Sequence, residues 1–170
     1  FLLASQTAED PTGQAAKKTR SKKGIPNADA PPNGTPHIYK AIDNIDLPLY
    51  VFQNQQPQVN NKRPAIVFFF GGGWTGGSPS QFEKQCEHFA KRGMVAITVE
   101  YRVSSRHAVK IDDCIKDAKS AMRWVRAHAE DLGIDPNRIA AAGGSAGSGL
   151  SYLYLHYDLA LCTGSRCANR

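Results

Sequence analysis

Two continuous apolar runs, "AIVFFF" (Ala65–Phe70) and "MVAITV" (Met94–Val99), constrain this chain more than any other feature. Each has the length of one strand and lacks the alternation of a strand with one wet face, so both faces have to be covered. Helical patterns fill the intervals. Between Ser80 and Arg92, the residues Phe82, Cys86, Phe89 and Ala90 fall at helical spacing, with Ser80 in the N-cap position and Gly93 as a stop. The longer segment "VKIDDCIKDAKSAMRWVRAHAEDLG" puts Ile111, Cys114, Ile115, Ala118, Met122 and Val125 on one stripe, closed by Gly133. A third short strand, "RIAAAGG", follows a turn at Asp135-Pro136, and a helix-like segment begins after Ser145. Strands alternating with helices in this way imply parallel strands joined by right-handed crossovers, an α/β sheet.

An antiparallel hairpin is expected ahead of that sheet. "HIYKAI" and "DLPLYVF" read as two short strands joined by a polar turn at Asp43 and Asn44, and "NQQPQVNNKRP" reads as a loop. Residues 1–36 are rich in Ala, Pro, Gly, Asn, Ser and Lys without any period, which marks a linker or tail. The folded domain is therefore expected over 37–160, with a polar tail over 161–170. At 170 residues and 41% hydrophobic content the chain is about one domain long.

Part of the net charge of +6 lies in "KKTRSKK", Lys17 to Lys23. No aromatic residues interleave those charges and no nucleic-acid motif follows, so a solvated linker is expected and no nucleic-acid partner. The chain starts at Phe1, and "FLLAS" looks like the stub of a signal-peptide core, within 1–8. That gives an expectation of a secreted or periplasmic protein, and a cytoplasmic one otherwise. No stretch approaches the roughly 18 apolar residues of a membrane helix. Cys86, Cys114, Cys162 and Cys167 form no CxxC and have no His at zinc-finger spacing, so no metal is expected. Cys86 and Cys114 sit at helical positions as small buried hydrophobes.

Two glycine clusters carry the chemistry. Gly71-Gly72-Gly73-Trp74-Thr75-Gly76 formally matches G-x-G-x-x-G, and Glu100 follows the next strand near the offset of a ribose-binding acid. A dinucleotide-binding domain is thus one reading. It requires the helix to begin at the glycines, whereas Gly77, Ser78 and Pro79 intervene and Trp74 crowds the phosphate position. The second cluster, Gly143-Gly144-Ser145-Ala146-Gly147, is a G-x-S-x-G between a strand and a helical segment, the context of a nucleophile elbow. There the serine sits on a sharp, strained turn, and Gly143 and Gly147 leave the space that the turn needs. Acyl transfer also requires N–H donors at the developing oxyanion, each worth roughly 3 kcal/mol of barrier. Ala146 can give one, and the bare backbone of Gly72 and Gly73 suits the others.

Taken together, "FFFGGGWTGG", "VEYRV", "DDCIKDAKSAMRWVRAHAEDLGIDPNRI" and "GGSAG" resemble the α/β-hydrolase fold esterases of the hormone-sensitive-lipase and carboxylesterase-like group. The resemblance runs from about Ile66 to Gly147. It implies the N-terminal part of an α/β-hydrolase fold, a hairpin leading into a mostly parallel sheet that is incomplete on its C-terminal side. It also implies a serine carboxylic-ester hydrolase acting on small acyl esters through an acyl-enzyme, with no metal and no organic cofactor. Ser145 would be the nucleophile, with Gly72, Gly73 and Ala146 as oxyanion donors. Trp74 would be either a wall of the substrate pocket or a packing residue, and Tyr101, Arg102 and Asp117 structural braces.

The sequence departs from that pattern in three places. Phe70 stands where the family usually has the His that orients the glycine loop, so the loop has to be held in another way. The catalytic acid and the His base are expected well after the serine, but only 25 residues follow Ser145. His156 lies on the helix behind the elbow, and His37, His88, His107 and His128 look like helix-surface or loop residues. After "GGSAG" the composition shifts to Tyr and Leu, "SGLSYLYLHYDLALCTGSRCANR", as a truncated or frameshifted end would. A serine without a base is a poor nucleophile, so weak or absent activity is expected of this chain, and the exposed apolar edge of an unfinished sheet implies low solubility. A non-catalytic interaction module of the same fold is the alternative.

Overall fold

The computed structural model describes residue 31, residues 33–54 and residues 62–161. The basic run 17–23, the apolar stub at 1–8, Cys162 and Cys167 lie outside the described residues.

The first corner is set by two residues. Asp43 and Asn44 both have left-handed backbone, φ 48 and φ 63, the geometry of a two-residue turn whose twist matches the flanking strands. It joins β1 (Thr35–Ile42) to β2 (Ile45–Phe52) as an antiparallel pair. β1 thus starts two residues before the expected domain boundary at 37. β3 (Arg63–Phe69) and β4 (Val95–Val99) are the two apolar runs, lying parallel to each other. The last strand, β5 (Ile134–Gly143), is longer than "RIAAAGG" alone. It pairs with β3 at Ile134, breaks register, and resumes at Ile139. Asp135-Pro136 therefore makes an excursion inside the strand, closed by the Asp135 carboxylate accepting from the Asn137 amide at 3.0 Å.

The five strands form one mixed sheet in the order β1-β2-β4-β3-β5, with β5 at an edge among the described residues. From β3 the chain crosses through α1 (Glu83–Lys91) to β4 on one side, then through α3 (Ile111–Ala127) to β5 on the other. Right-handed crossovers in opposite directions place those helices on opposite faces. One face buries Tyr50, Phe52, Phe68 and Ala96 against Cys86 and Ala90 of α1. The other buries Leu47, Val67, Phe69, Val95, Ile97 and Val99 against Cys114, Ala118, Met122 and Val125 of α3. This is the α/β-hydrolase architecture, with an unclosed sheet. Cys86 and Cys114 are fully buried free thiols, and burial pushes the Cys86 thiol up to about 12.

Two helix boundaries differ from expectation. Ser80 is not the N-cap: the chain turns at Ser78 into a 3-10 turn, Pro79–Phe82, that leads into α1. Pro79 sets that earlier start, because its fixed φ suits a first helical position. At α3 the helix stops at Ala127, and Gly133 (φ 64) ends a further turn instead. Ile111 is the first residue of α3, beyond the reach of the sheet, and is 49% exposed although its spacing places it on the buried stripe.

Candidate active site

The strand order brings both glycine clusters to one place. β3 and β5 are adjacent and parallel, and their last paired residues are Phe69 and Gly143. The loops that leave them, 70–78 and 144–145, therefore emerge side by side at the carboxyl ends of the strands. In open α/β sheets this is where ligands bind.

Ser145 sits between the end of β5 and α4 (Ala146–Leu161) with φ 52. A left-handed backbone at a non-glycine residue is strained and persists only where its surroundings hold it. The hold is visible. The Gly147 amide donates to the Gly144 carbonyl at 2.9 Å, and the Ser145 carbonyl accepts from the Ser148 amide at 3.0 Å and from Ser148 Oγ at 2.5 Å. The flanking glycines are demanded by contact. A Cβ on Gly147 would stand 2.0 Å from the Phe69 carbonyl oxygen, and one on Gly143 would stand 2.5 Å from Gly147. The Ser145 side chain is exposed, and its hydroxyl bonds to none of the described residues.

The loop after β3 runs against this turn. A Cβ on Gly71 would lie 2.7 Å from the Gly144 carbonyl oxygen and 3.3 Å from Ser145 Cβ. Gly72 (φ 147) and Gly73 (φ 62) follow, exposed, in backbone that only glycine adopts without strain. Among the described residues nothing accepts from the amides of Gly72, Gly73 or Ala146, whereas the Gly71 amide is taken by Gln81 Oε1 at 2.6 Å. The outer arm of the loop is strapped down by α2 (Ser104–His107). The Ser104 amide donates to the Trp74 carbonyl (3.0 Å), the Ser105 amide and hydroxyl both donate to the Thr75 carbonyl, and Arg106 Nη1 donates to the Gly77 carbonyl (2.8 Å).

Phe70 is fully buried and stacks on Tyr101, ring centroids 4.1 Å apart. The Tyr101 hydroxyl donates to the Phe70 carbonyl at 2.7 Å, and burial raises its pKa well above the ordinary tyrosine value, so it remains a donor. Tyr101, Arg102 and Asp117 are braces, as expected. Asp117, with no exposure, accepts from Arg102 Nε (2.8 Å) and Nη2 (3.0 Å) and from Lys40 Nζ (2.6 Å). Glu100 is 4% exposed and pairs with Arg106 at 2.6 Å. Residues 74–78 separate Gly73 from the 3-10 turn, so the loop does not open a helix as a dinucleotide fingerprint must.

Trp74 is a packing residue that also borders a groove, and the residues lining that groove do not include Ser145. Its ring packs on the core, lying 3.6 Å from where a Gly149 Cβ would be. With Gly73, Thr75, Ser104, Val109 and Ile111 it also lines an open groove of about 500 Å³. Gln81, Ser104, Ser105 and Arg106 bond to the backbone of the loop, and nothing in the sequence marks them. The only cue is negative: Phe70 cannot do what a histidine there would.

Each described histidine is engaged away from Ser145. His37, on β1 and so neither helical nor in a loop, faces Trp124 at 5.4 Å, and His128 stacks on the same ring at 4.0 Å. His88 contacts Arg92, and His107 Nδ1 accepts from the Val103 amide at 3.1 Å. His156 falls on α4, its side chain outside the described residues. Among the described residues no three metal-ligating side chains cluster, and no helix is long and apolar enough to cross a membrane.

Comparison with known proteins places these features in a family. The BD-FAE family profile matches residues 49–157. Carboxylesterase NlhH of Mycobacterium tuberculosis is 36% identical over 107 residues, which are 62% of this chain and 32% of that protein. Est2, a thermophilic esterase from Thermogutta terrifontis, is 56% identical with a TM-score of 0.69, covering 72% of this chain and 44% of that one. The butyrate-bound form of the same esterase matches equally well. The chain thus spans about a third of the length of NlhH and under half of that of Est2.

Proposed function

Because this chain belongs to the BD-FAE family, with an α/β-hydrolase fold, we propose that it carries the nucleophile and the oxyanion donors of a carboxylic-ester hydrolase. The observation that carries this reading is Ser145. Its hydroxyl is exposed on a left-handed turn, beside a glycine loop whose free amides follow the one that Gln81 occupies.

Ser145 Oγ attacks the ester carbonyl carbon and gives its proton to a general base. The carbonyl π pair moves onto oxygen, and the amides of Gly72, Gly73 and Ala146 receive the charge. Collapse of the tetrahedral species expels the alcohol, which takes up a proton, and leaves an acyl-Ser145 that water hydrolyses to the carboxylic acid. The N-terminus of α4 points its partial positive charge at the same place. No base or acid partner for Ser145 is placed among the described residues. Short acyl esters are the expected substrates; butyrate bound to the similar Est2 supports that class.

Hydrolysis of p-nitrophenyl acetate tests the reading. After subtraction of the rate that imidazole gives without protein, turnover should rise with added imidazole as an external base in the unaltered chain, and Ser145→Ala should remove that excess. Equal rates in both proteins would sink the proposal. The engagement of every described histidine elsewhere favours a second reading, a non-catalytic module of the same fold. Ser145 that fails to react with a fluorophosphonate probe in the folded protein would support it.

A further inference from the structure

We infer that Gln81 is a positioning residue for the oxyanion loop, working with Tyr101 to clamp one peptide plane from both sides. The inference rests on Gly72 and Gly73 being oxyanion donors. Phe70 and Gly71 share a peptide unit, and both of its polar groups are held. The Phe70 carbonyl accepts from the Tyr101 hydroxyl at 2.7 Å, and the Gly71 amide donates to Gln81 Oε1 at 2.6 Å. In a planar trans peptide the C=O and N–H point in opposite directions, so two partners on opposite sides fix the rotation of the plane.

The partners are themselves anchored. Tyr101 is fully buried under the Phe70 ring. Gln81 sits in the 3-10 turn, its amide bonded to the Ser78 carbonyl at 3.2 Å, and the Pro79 carbonyl of that turn accepts from Thr98 Oγ1 of β4 at 2.9 Å. The clamp thus ties the loop to two rigid places, the end of β4 and the start of α1. The consequence concerns the next two amides. With the 70–71 plane locked, the Gly71 N–H is spent on Gln81, and the chain enters Gly72 in one orientation only. A loop of glycines has many alternatives, and oxyanion donors act only when their direction is set in advance. Gln81 thereby supplies through the backbone the order that Phe70, having no polar atom in its side chain, cannot.

The test pairs two substitutions. Gln81→Ala removes the acceptor, and Gln81→Glu keeps an oxygen in the same place. In the unaltered protein and both variants, the Ser145-dependent acylation by p-nitrophenyl acetate is measured with imidazole present. Amide exchange of Gly71 is followed by NMR in the same samples. Gln81→Ala should slow maximal acylation by about tenfold or more, as a misdirected donor does, leaving half-saturation within twofold; Gln81→Glu should restore most of the rate. The Gly71 amide should lose protection in the alanine variant alone. An unchanged rate in Gln81→Ala, or an equal loss in both variants, would overturn the inference. If no Ser145-dependent reaction is seen at all, the ester-hydrolase reading fails, and Gly71 exchange decides the clamp by itself: protection lost in Ala and kept in Glu supports it, equal exchange in all three refutes it.

Discussion

At the scale of single residues, the site is governed by what a Cβ would strike. Gly147 has the Phe69 carbonyl 2.0 Å from its would-be Cβ, and that carbonyl belongs to a strand fixed on both sides by β4 and β5. Gly147→Ala should therefore force the elbow off β3 and destabilise the fold by about 3 kcal/mol, the upper part of the range for overpacking, read as a lower urea midpoint. Gly73 is the contrast: a Cβ there meets nothing within 4 Å, so alanine bears only the strain of φ 62. Gly73→Ala should cost about 1 kcal/mol and leave the urea midpoint within reach of the unaltered protein. Both outcomes follow from contact, and neither requires the chain to be an enzyme.

At the scale of elements, the short α2 matters more than its four residues suggest. Its bonds to the carbonyls of Trp74, Thr75 and Gly77 make it a strap over the glycine loop, and the imidazole of His107 holds its start. Burial, then the neighbouring Arg106 charge, lower the pKa of His107. A group with a depressed folded pKa binds fewer protons folded than unfolded, so its contribution is present above about pH 6.5 and is lost as pH falls through the folded value. Protonated Nδ1 also cannot accept from the Val103 amide. Exchange of the Val103 amide should therefore speed up relative to its intrinsic rate at pH below the ordinary histidine value of about 6.5, and His107→Gln should remove that extra pH dependence. The strap is also where the sequence was least readable. β3, β4, the hairpin and α3 announce themselves because burial imposes a period or a continuous apolar run. Ser104, Ser105 and Gln81 carry no such signal, since they act through single points of attachment to backbone groups outside their own element. Ile111 shows the opposite failure: its spacing is right, but the first turn of α3 overhangs the sheet.

At the scale of the whole molecule, one buried carboxylate joins three parts of the fold. Asp117 of α3 holds Arg102 after β4 and Lys40 of β1, and has no contact with solvent. Asp117→Ala would leave the buried Arg102 guanidinium uncompensated, a loss of about 3–5 kcal/mol, seen as a lower denaturant midpoint at unchanged slope. The sheet order itself was half legible: alternation foretold parallel strands and a leading hairpin, but the bulge within β5 arises only from pairing with β3. The placement of Trp74 has one more consequence. The chain has two tryptophans, one resting on α4 beside the serine turn and the other, Trp124, flanked by His37 and His128 at the seam of β1 and α3. Fluorescence from this protein is consequently a two-channel signal. Replacing Trp124 by Phe leaves an intrinsic optical probe within van der Waals reach of α4, ready to report occupancy or melting of the elbow without any attached dye.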